Sequence, residues 1–265
     1  MHATIFRRIA LALFACIAAA PLRAADVTDT IARVKRSVVA IGTFERGART
    51  PSFQFRGTGF AIAAGNLIVT NAHVLPAIMD PARNEAIGLL MPGPDANTSS
   101  IREIRRVAVD AGTDLALLRL EGEPLPALKL RDSAKVKEGQ DVMITGFPIG
   151  AVLGPFAVTH RGMISAITPI AIPQGRAADL NPAVVRRLSS GTFSVFQLDA
   201  TAYPGSSGSP IYDPETGDVL GIVNMVFVKA TKEAVLSEPS GITYAVPSVY
   251  LEALLAGDAR GEGRK

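Results

Sequence analysis

Two successive sets of about six short strand-like runs, cut apart by Gly, Pro, Asn and Asp, constrain this chain more than any other feature. The first set is Val38–Thr43, Gly59–Ala63, Leu67–Thr70, Ala86–Met91, Ile101–Val109 and Leu115–Leu120. The second is Asp141–Gly146, Phe156–Ile167, Phe193–Asp199, Ser209–Tyr212, Val219–Val228 and Gly241–Ala245. Between the sets, residues 121–141 carry Pro124, Pro126 and a polar stretch and read as a connector. Two such sets imply two closed sheets, because closure removes the exposed strand edges that would otherwise pair with other chains. The expected fold is therefore all-β: two six-stranded antiparallel barrels, one over about 37–123 and one over about 139–246. Short helices are expected at both ends. Asp26 or Thr28 caps one over 26–36, where Val27, Ile31 and Val34 fall at helical spacing, and Pro247–Leu255 forms the other. Residues 256–265 read as a disordered polar tail, and 170–192 as an unusually long connection.

The first 24 residues read as an export signal: Arg7 and Arg8, an apolar run from Ile9 to Ala20, then Pro21-Leu22-Arg23-Ala24. The run is shorter than the ~20 residues of a membrane-spanning helix, so no stable membrane insertion is expected after its removal. Cys16, the only cysteine, lies within it, and the mature domain of residues 25–255 is expected to be free of disulfides. Location in the periplasm or the medium follows from such a signal. The formal charge of +3 also traces to this segment, whose three arginines face no acid; without it bases and acids are equal in number. That balance argues against nucleic acid as a partner, since phosphate neutralisation needs a basic excess or a dense basic face.

Three residues carry the chemistry of acyl transfer. Ser207 lies in Tyr203-Pro204-Gly205-Ser206-Ser207-Gly208-Ser209-Pro210, where glycines on both sides permit a sharp turn that presents a hydroxyl. The same turn frees the N–H groups of Gly205 and Ser207 to converge on a developing oxyanion. Taken alone, a Gly/Ser/Pro cluster is usually an ordinary turn. Beyond the signal there are two histidines, His73 and His160. His73 ends an apolar strand in Val69-Thr70-Asn71-Ala72-His73-Val74, where a short helical turn can begin. His160 sits mid-run in Val158-Thr159-His160-Arg161-Gly162 and reads as a surface or edge-strand residue. Asp114 heads Asp114-Leu115-Ala116-Leu117-Leu118, half-buried and placed to receive an imidazole N–H, or else it simply closes the turn from Asp110. The order His, Asp, Ser, with base and acid in the first set and serine in the second, suits a site between two barrels.

The chain resembles the HtrA/Deg family of trypsin-like serine proteases. Gly57-Thr58-Gly59-Phe60, the His73 and Asp114 segments and Gly205-Ser206-Ser207-Gly208-Ser209-Pro210 carry the likeness, with Gly146-Phe147-Pro148-Ile149-Gly150, Gln197-Leu198-Asp199-Ala200 and Gly241-Ile242-Thr243-Tyr244-Ala245-Val246-Pro247 in support. The resemblance implies the chymotrypsin fold, no cofactor or metal, and polypeptide substrates. It implies a triad of His73, Asp114 and Ser207 and oxyanion donors at Gly205 and Ser207. It places Thr201 near the base of the primary specificity pocket, Tyr203 where it narrows that pocket, and Asn224 and Met225 on its wall. With no acid at Thr201, a medium apolar side chain is expected rather than Lys or Arg.

Departures from the family pattern are Ser206 for Asn, Ser209 for Gly and Tyr203 for a smaller residue or Asn. The sequence stops near the end of the protease region, so a peptide-binding PDZ domain is not expected. The segment 170–192 corresponds to the family's sensor loop and Glu45–Arg56 to its activation loop, so 170–192 is expected to switch the oxyanion site. Monomer and homotrimer both stay open. The competing readings are a catalytically silent or chaperone-like peptide-binding module on the same fold, and an esterase using the same serine.

Overall fold

Strands that are buried on both faces read as continuous apolar runs, and several strands of the two barrels, among them those over 115–120 and 219–223, are of this kind. The computed structural model describes residues 26–48, 52–92, 99–150, 154, 156–169, 193–224 and 241–262. Residues 1–24, the 170–192 connection, Met225 and the middle of the Glu45–Arg56 segment lie outside the described residues.

The chain begins with helix α1 (Val27–Lys35), capped by the Asp26 side chain on the N–H of Thr28 at 2.9 Å. Strands β1 (Val38–Glu45), β2 (Gln54–Ile62), β3 (Leu67–Asn71), β4 (Glu85–Pro92), β5 (Ser99–Asp110) and β6 (Leu115–Leu120) follow. They close into an antiparallel barrel in the order β1-β2-β3-β6-β5-β4. Strands β7 (Asp141–Gly146), β8 (Val158–Pro169), β9 (Ser194–Asp199), β10 (Pro210–Tyr212), β11 (Val219–Val223) and β12 (Ile242–Pro247) close a second barrel, β10-β11-β12-β9-β8-β7. Helix α2 (Ser248–Glu262) ends the described chain.

The two-residue period sorts each strand between two cores. Ile41, Ile68, Ala116 and Leu118 point into the first barrel. Their neighbours Ala40, Val69, Leu115 and Leu117 face the other way, into a cluster that also takes Phe147, Tyr212 and Ile222 from the second barrel. The second barrel fills itself with Ile144, Ile164, Phe196, Leu198 and Leu220. The layer between the barrels thus holds a buried apolar cluster, and the site lies along its edge.

Several boundaries differ from the sequence reading. Strand β2 begins at Gln54, earlier than Gly59, because the Gly-rich Gly57-Thr58-Gly59 lies inside the strand instead of ending a turn. A Cβ at Gly59 would press on Ile41 and on the backbone of Val69, which explains the glycine as close packing. The connector is not slack: Leu128 bridges to Ile62 of the first barrel and Leu130 to Val219 of the second. Helix α2 continues to Glu262, where a disordered tail from 256 was expected. Gly257 costs such a helix ~1 kcal/mol, and Leu254 and Leu255, packed on the core upstream, hold it in place. His160 sits opposite Ile144 of β7, on a stretch of β8 that has not yet met β9, whose pairing begins at Met163, so it is an edge position as expected, with the imidazole half-buried.

Candidate active site

Local sheet pairing brings the base and the acid together. Strands β3 and β6 are neighbours, with Asn71 opposite Leu115, so the residues just beyond these ends must meet. After Asn71 the chain turns through one 3₁₀ turn, Ala72–Val74, carrying His73. Just before Leu115 stands Asp114 at φ +59, a left-handed conformation that Asp tolerates better than most residues. The Asp110–Thr113 turn that feeds it is tied by Asp110, whose carboxylate accepts the N–H of Gly112 at 2.8 Å and the hydroxyl of Thr113 at 2.7 Å. Asp114 thus both closes a turn and reaches the imidazole.

Asp114 is almost wholly buried and every oxygen is used. Oδ1 accepts the backbone N–H of His73 at 3.0 Å, and Oδ2 lies 2.6 Å from His73 Nδ1. The Asn224 side-chain amide donates to the same Oδ2 at 2.8 Å. The Asp114 carbonyl accepts from Ala72 N at 2.9 Å and from the Asn71 amide at 3.1 Å. A carboxylate receiving Nδ1–H leaves the lone pair of Nε2 facing outward, and Nε2 stands 2.9 Å from Ser207 Oγ. The imidazole remains 32% exposed, so a substrate can approach the pair.

Ser207 belongs to two consecutive turns. Ser206 N donates to Tyr203 O at 2.9 Å, with Pro204 and Gly205 between them, and Gly205 has φ +99. Ser209 N donates to Ser206 O at 3.0 Å, with Ser207 and Gly208 between them, and Gly208 has φ +86. Both are type II turns, whose third position demands a positive φ and hence glycine. A Cβ on Gly208 would collide with the Thr58 carbonyl oxygen.

Carbonyls 203 to 207 are all held. Beside the two turn bonds, Pro204 O accepts Ile149 N at 2.7 Å, Gly205 O accepts the Thr58 hydroxyl at 2.8 Å, and Ser207 O accepts Thr58 N at 2.9 Å. Among the described residues, the N–H groups of Gly205 and Ser207 have no partner, whereas those of Ser206 and Gly208 do. A trans peptide points its N–H opposite its carbonyl. Two free donors therefore flank the Ser207 hydroxyl on the turn face.

Asn224 is placed differently from the expectation of a pocket wall. Its side chain is fully buried and its amide donates to Asp114, and its own N–H donates to Tyr244 O at 2.8 Å. Thr201 and Tyr203 lie upstream of the Ser207 turn, both half-buried, while Met225 falls outside the described residues. Sequence reasoning missed Thr58, whose partners lie 89 and 147 residues away. His160, the other histidine, takes no part: burial pushes its imidazole below the ordinary range, and its Nε2 has no partner among the described residues.

Two closed six-stranded barrels, with a serine turn meeting a histidine and an aspartate between them, have the architecture of trypsin-like peptidases. The family model for the trypsin-like peptidase domain matches residues 57–222, and the chain belongs to that family. A probable periplasmic serine endoprotease, DegP-like, from Pseudomonas putida (strain GB-1) is 31% identical over 203 residues, 76% of this chain and 34% of that protein. The mitochondrial serine protease HTRA2 of Bos taurus is 32% identical over 234 residues, 86% of this chain and 42% of its own length. The chain thus spans about a third to two-fifths of these relatives. Among solved structures, the HtrA-type protease AlgW with a decapeptide superposes with a TM-score of 0.62 at 20% identity, over 87% of this chain and 67% of the other. A Mycobacterium tuberculosis protease in its active form gives 0.59 at 24% identity, over 86% and 82%. These likenesses share the fold.

Proposed function

We propose that this chain is an exported serine endopeptidase that hydrolyses peptide bonds through an acyl-enzyme on Ser207. The observation that carries the reading is the unbroken hydrogen-bonded line from Asp114 through His73 to Ser207. As Ser207 Oγ attacks the scissile carbonyl carbon, its proton passes to His73 Nε2. Asp114, hydrogen-bonded to Nδ1–H, stabilises the imidazolium that forms. The carbonyl π pair moves onto oxygen, and the oxyanion takes hydrogen bonds from the N–H groups of Gly205 and Ser207. When the C–N bond breaks, His73 gives its proton to the departing amine. Water then attacks the ester carbonyl, gives a proton to His73, and the carboxylic acid leaves as Ser207 Oγ regains the proton.

Thr201 and Tyr203 precede the nucleophile turn and supply no negative charge, which supports cleavage after medium apolar residues over Lys or Arg. The leading run of residues 1–24 and the periplasmic relatives support a periplasmic location. The test is digestion of an unfolded protein by the purified chain, with new termini mapped by mass spectrometry and Ser207→Ala as control. New termini following apolar residues, absent with the variant, are expected. An intact substrate with both proteins would reduce the chain to a peptide-binding module on a protease fold.

A further inference from the structure

The peptide flanking Gly205 on its C-terminal side is held from the other barrel by one side chain. Thr58, on β2, is fully buried and uses every polar group it has. Its N–H donates to Ser207 O at 2.9 Å and its carbonyl accepts the Thr70 hydroxyl at 2.7 Å. Its own hydroxyl donates to Gly205 O at 2.8 Å and accepts Phe147 N at 3.0 Å. A hydroxyl that donates one way and accepts the other links three segments at one point: strand β2, the exit of β7 and the serine turn.

The peptide on the N-terminal side of Gly205 is tied too. Pro204 O accepts the N–H of Ile149 at 2.7 Å, and Ile149 holds that position at φ +49. A β-branched residue there is a genuine backbone outlier, which the surroundings must maintain. The Phe55 ring occupies the space beside both Gly150 and Gly205, where a Cβ on either glycine would strike it. With both flanking carbonyls fixed, the direction of the Gly205 N–H is fixed as well.

We infer that Thr58 is a positioning residue for the oxyanion donor: its hydroxyl anchors the Gly205–Ser206 peptide while Ile149 holds the Pro204–Gly205 peptide that carries the Gly205 N–H, so the two ties together keep that donor in place and make oxyanion binding depend on how the two barrels are seated. The inference rests on the acyl-transfer reading of Ser207 and extends it to a residue that touches neither substrate nor the three side chains. Replacing the hydroxyl with a methyl leaves both Phe147 N and Gly205 O unpaired in a buried place, so the Gly205–Ser206 peptide turns to find another donor and loosens the turn that presents the Gly205 N–H. A serine keeps the hydroxyl and loses only a methyl group.

The experiment measures the rate at which a small fluorophosphonate labels Ser207 in the parent, Thr58→Val and Thr58→Ser, with melting temperatures alongside. Thr58→Val is expected to label ~100-fold more slowly, the order of loss seen when one oxyanion donor is removed. Thr58→Ser is expected within about threefold of the parent, which a role in methyl packing alone would not give. Parental labelling by Thr58→Val, or a Thr58→Ser variant as slow as Thr58→Val, would overturn the inference. Should Thr58→Val melt below the assay temperature, Thr58→Ala assayed at a lower temperature removes the same hydroxyl, and slow labelling is again expected, parental labelling again fatal. An unlabelled parent would instead remove the acyl-transfer reading beneath it, and this inference with it.

Discussion

The two barrels prepare their halves of the site by different means. The first barrel brings His73 and Asp114 together through ordinary strand pairing: β3 and β6 are neighbours, and the two residues lie one or two positions beyond paired ends. The second barrel offers Ser207 on a turn that belongs to no strand and needs two left-handed glycines. That turn takes bonds from Thr58 of the first barrel and from Ile149 and Val223 of its own. The base and acid are thus fixed by local topology, whereas the nucleophile and its donors are fixed by how the barrels seat. Folding of the first barrel sets one half; the interface sets the other.

Substitutions can break or sharpen this contrast. The largest effect is expected from Asp114→Asn, which removes the acceptor that orients the His73 imidazole and should lower kcat about 10⁴-fold with the fold retained. An equal loss accompanied by unfolding would mean that the base–acid half is not a separately built unit. Gly208→Ala tests the other half, since its methyl would meet the Thr58 carbonyl at a backbone of φ +86. Fluorophosphonate labelling should fall by at least ~100-fold as Ser207 and the donors on its turn are displaced from His73. Labelling at the parental rate would show that the interface tolerates a shift there and does not set the nucleophile.

Asn224→Ala gives a smaller, bridging effect, because this side chain reaches from the end of β11 to the acid of the first barrel. A hydrogen bond to a charged group is worth about 1.5–3 kcal/mol, which sets an upper range of about 10- to 150-fold; with the His73 bonds to Asp114 still in place, kcat should drop towards the low end, about tenfold. A change in cleavage-site preference at constant kcat would instead return Asn224 to the pocket wall.

The smallest effect concerns stability alone. Burial holds folded His160 neutral below its ordinary value of 6.5, so on acidification the unfolded chain takes up the proton first. The stability this gives is whole above pH 6.5 and is lost as pH falls towards the folded value. Melting temperature should therefore fall more steeply between pH 7 and 5 in the parent than in His160→Gln. Parallel curves would show that the imidazole is wet.

Much of this molecule was legible in residue order. The two barrels follow from strand-like runs in two sets, and the three side chains from residue types whose spacing makes sense only together. What stayed hidden depends on direction and distance. Asn224 ends a buried strand, and sequence period alone does not say that its amide turns to Asp114 and away from a pocket. Thr58 looked like one polar residue in a Gly-rich patch, because its partners Phe147 and Gly205 enter only when the second barrel docks. The helical course of residues 256–262 was obscured by Gly257 and Gly261, whose local cost is outweighed by the anchored turns before them.

The most direct test of the account is the intact mass of the mature protein after exposure to a fluorophosphonate, with Ser207→Ala beside it. One adduct on the parent, mapped to Ser207, and none on the variant is the expected result, since the hydroxyl, the His73 base and two oriented N–H donors already stand in place. A parent that stays unlabelled, even with unfolded protein present, would contradict the claim that this arrangement is a working nucleophile.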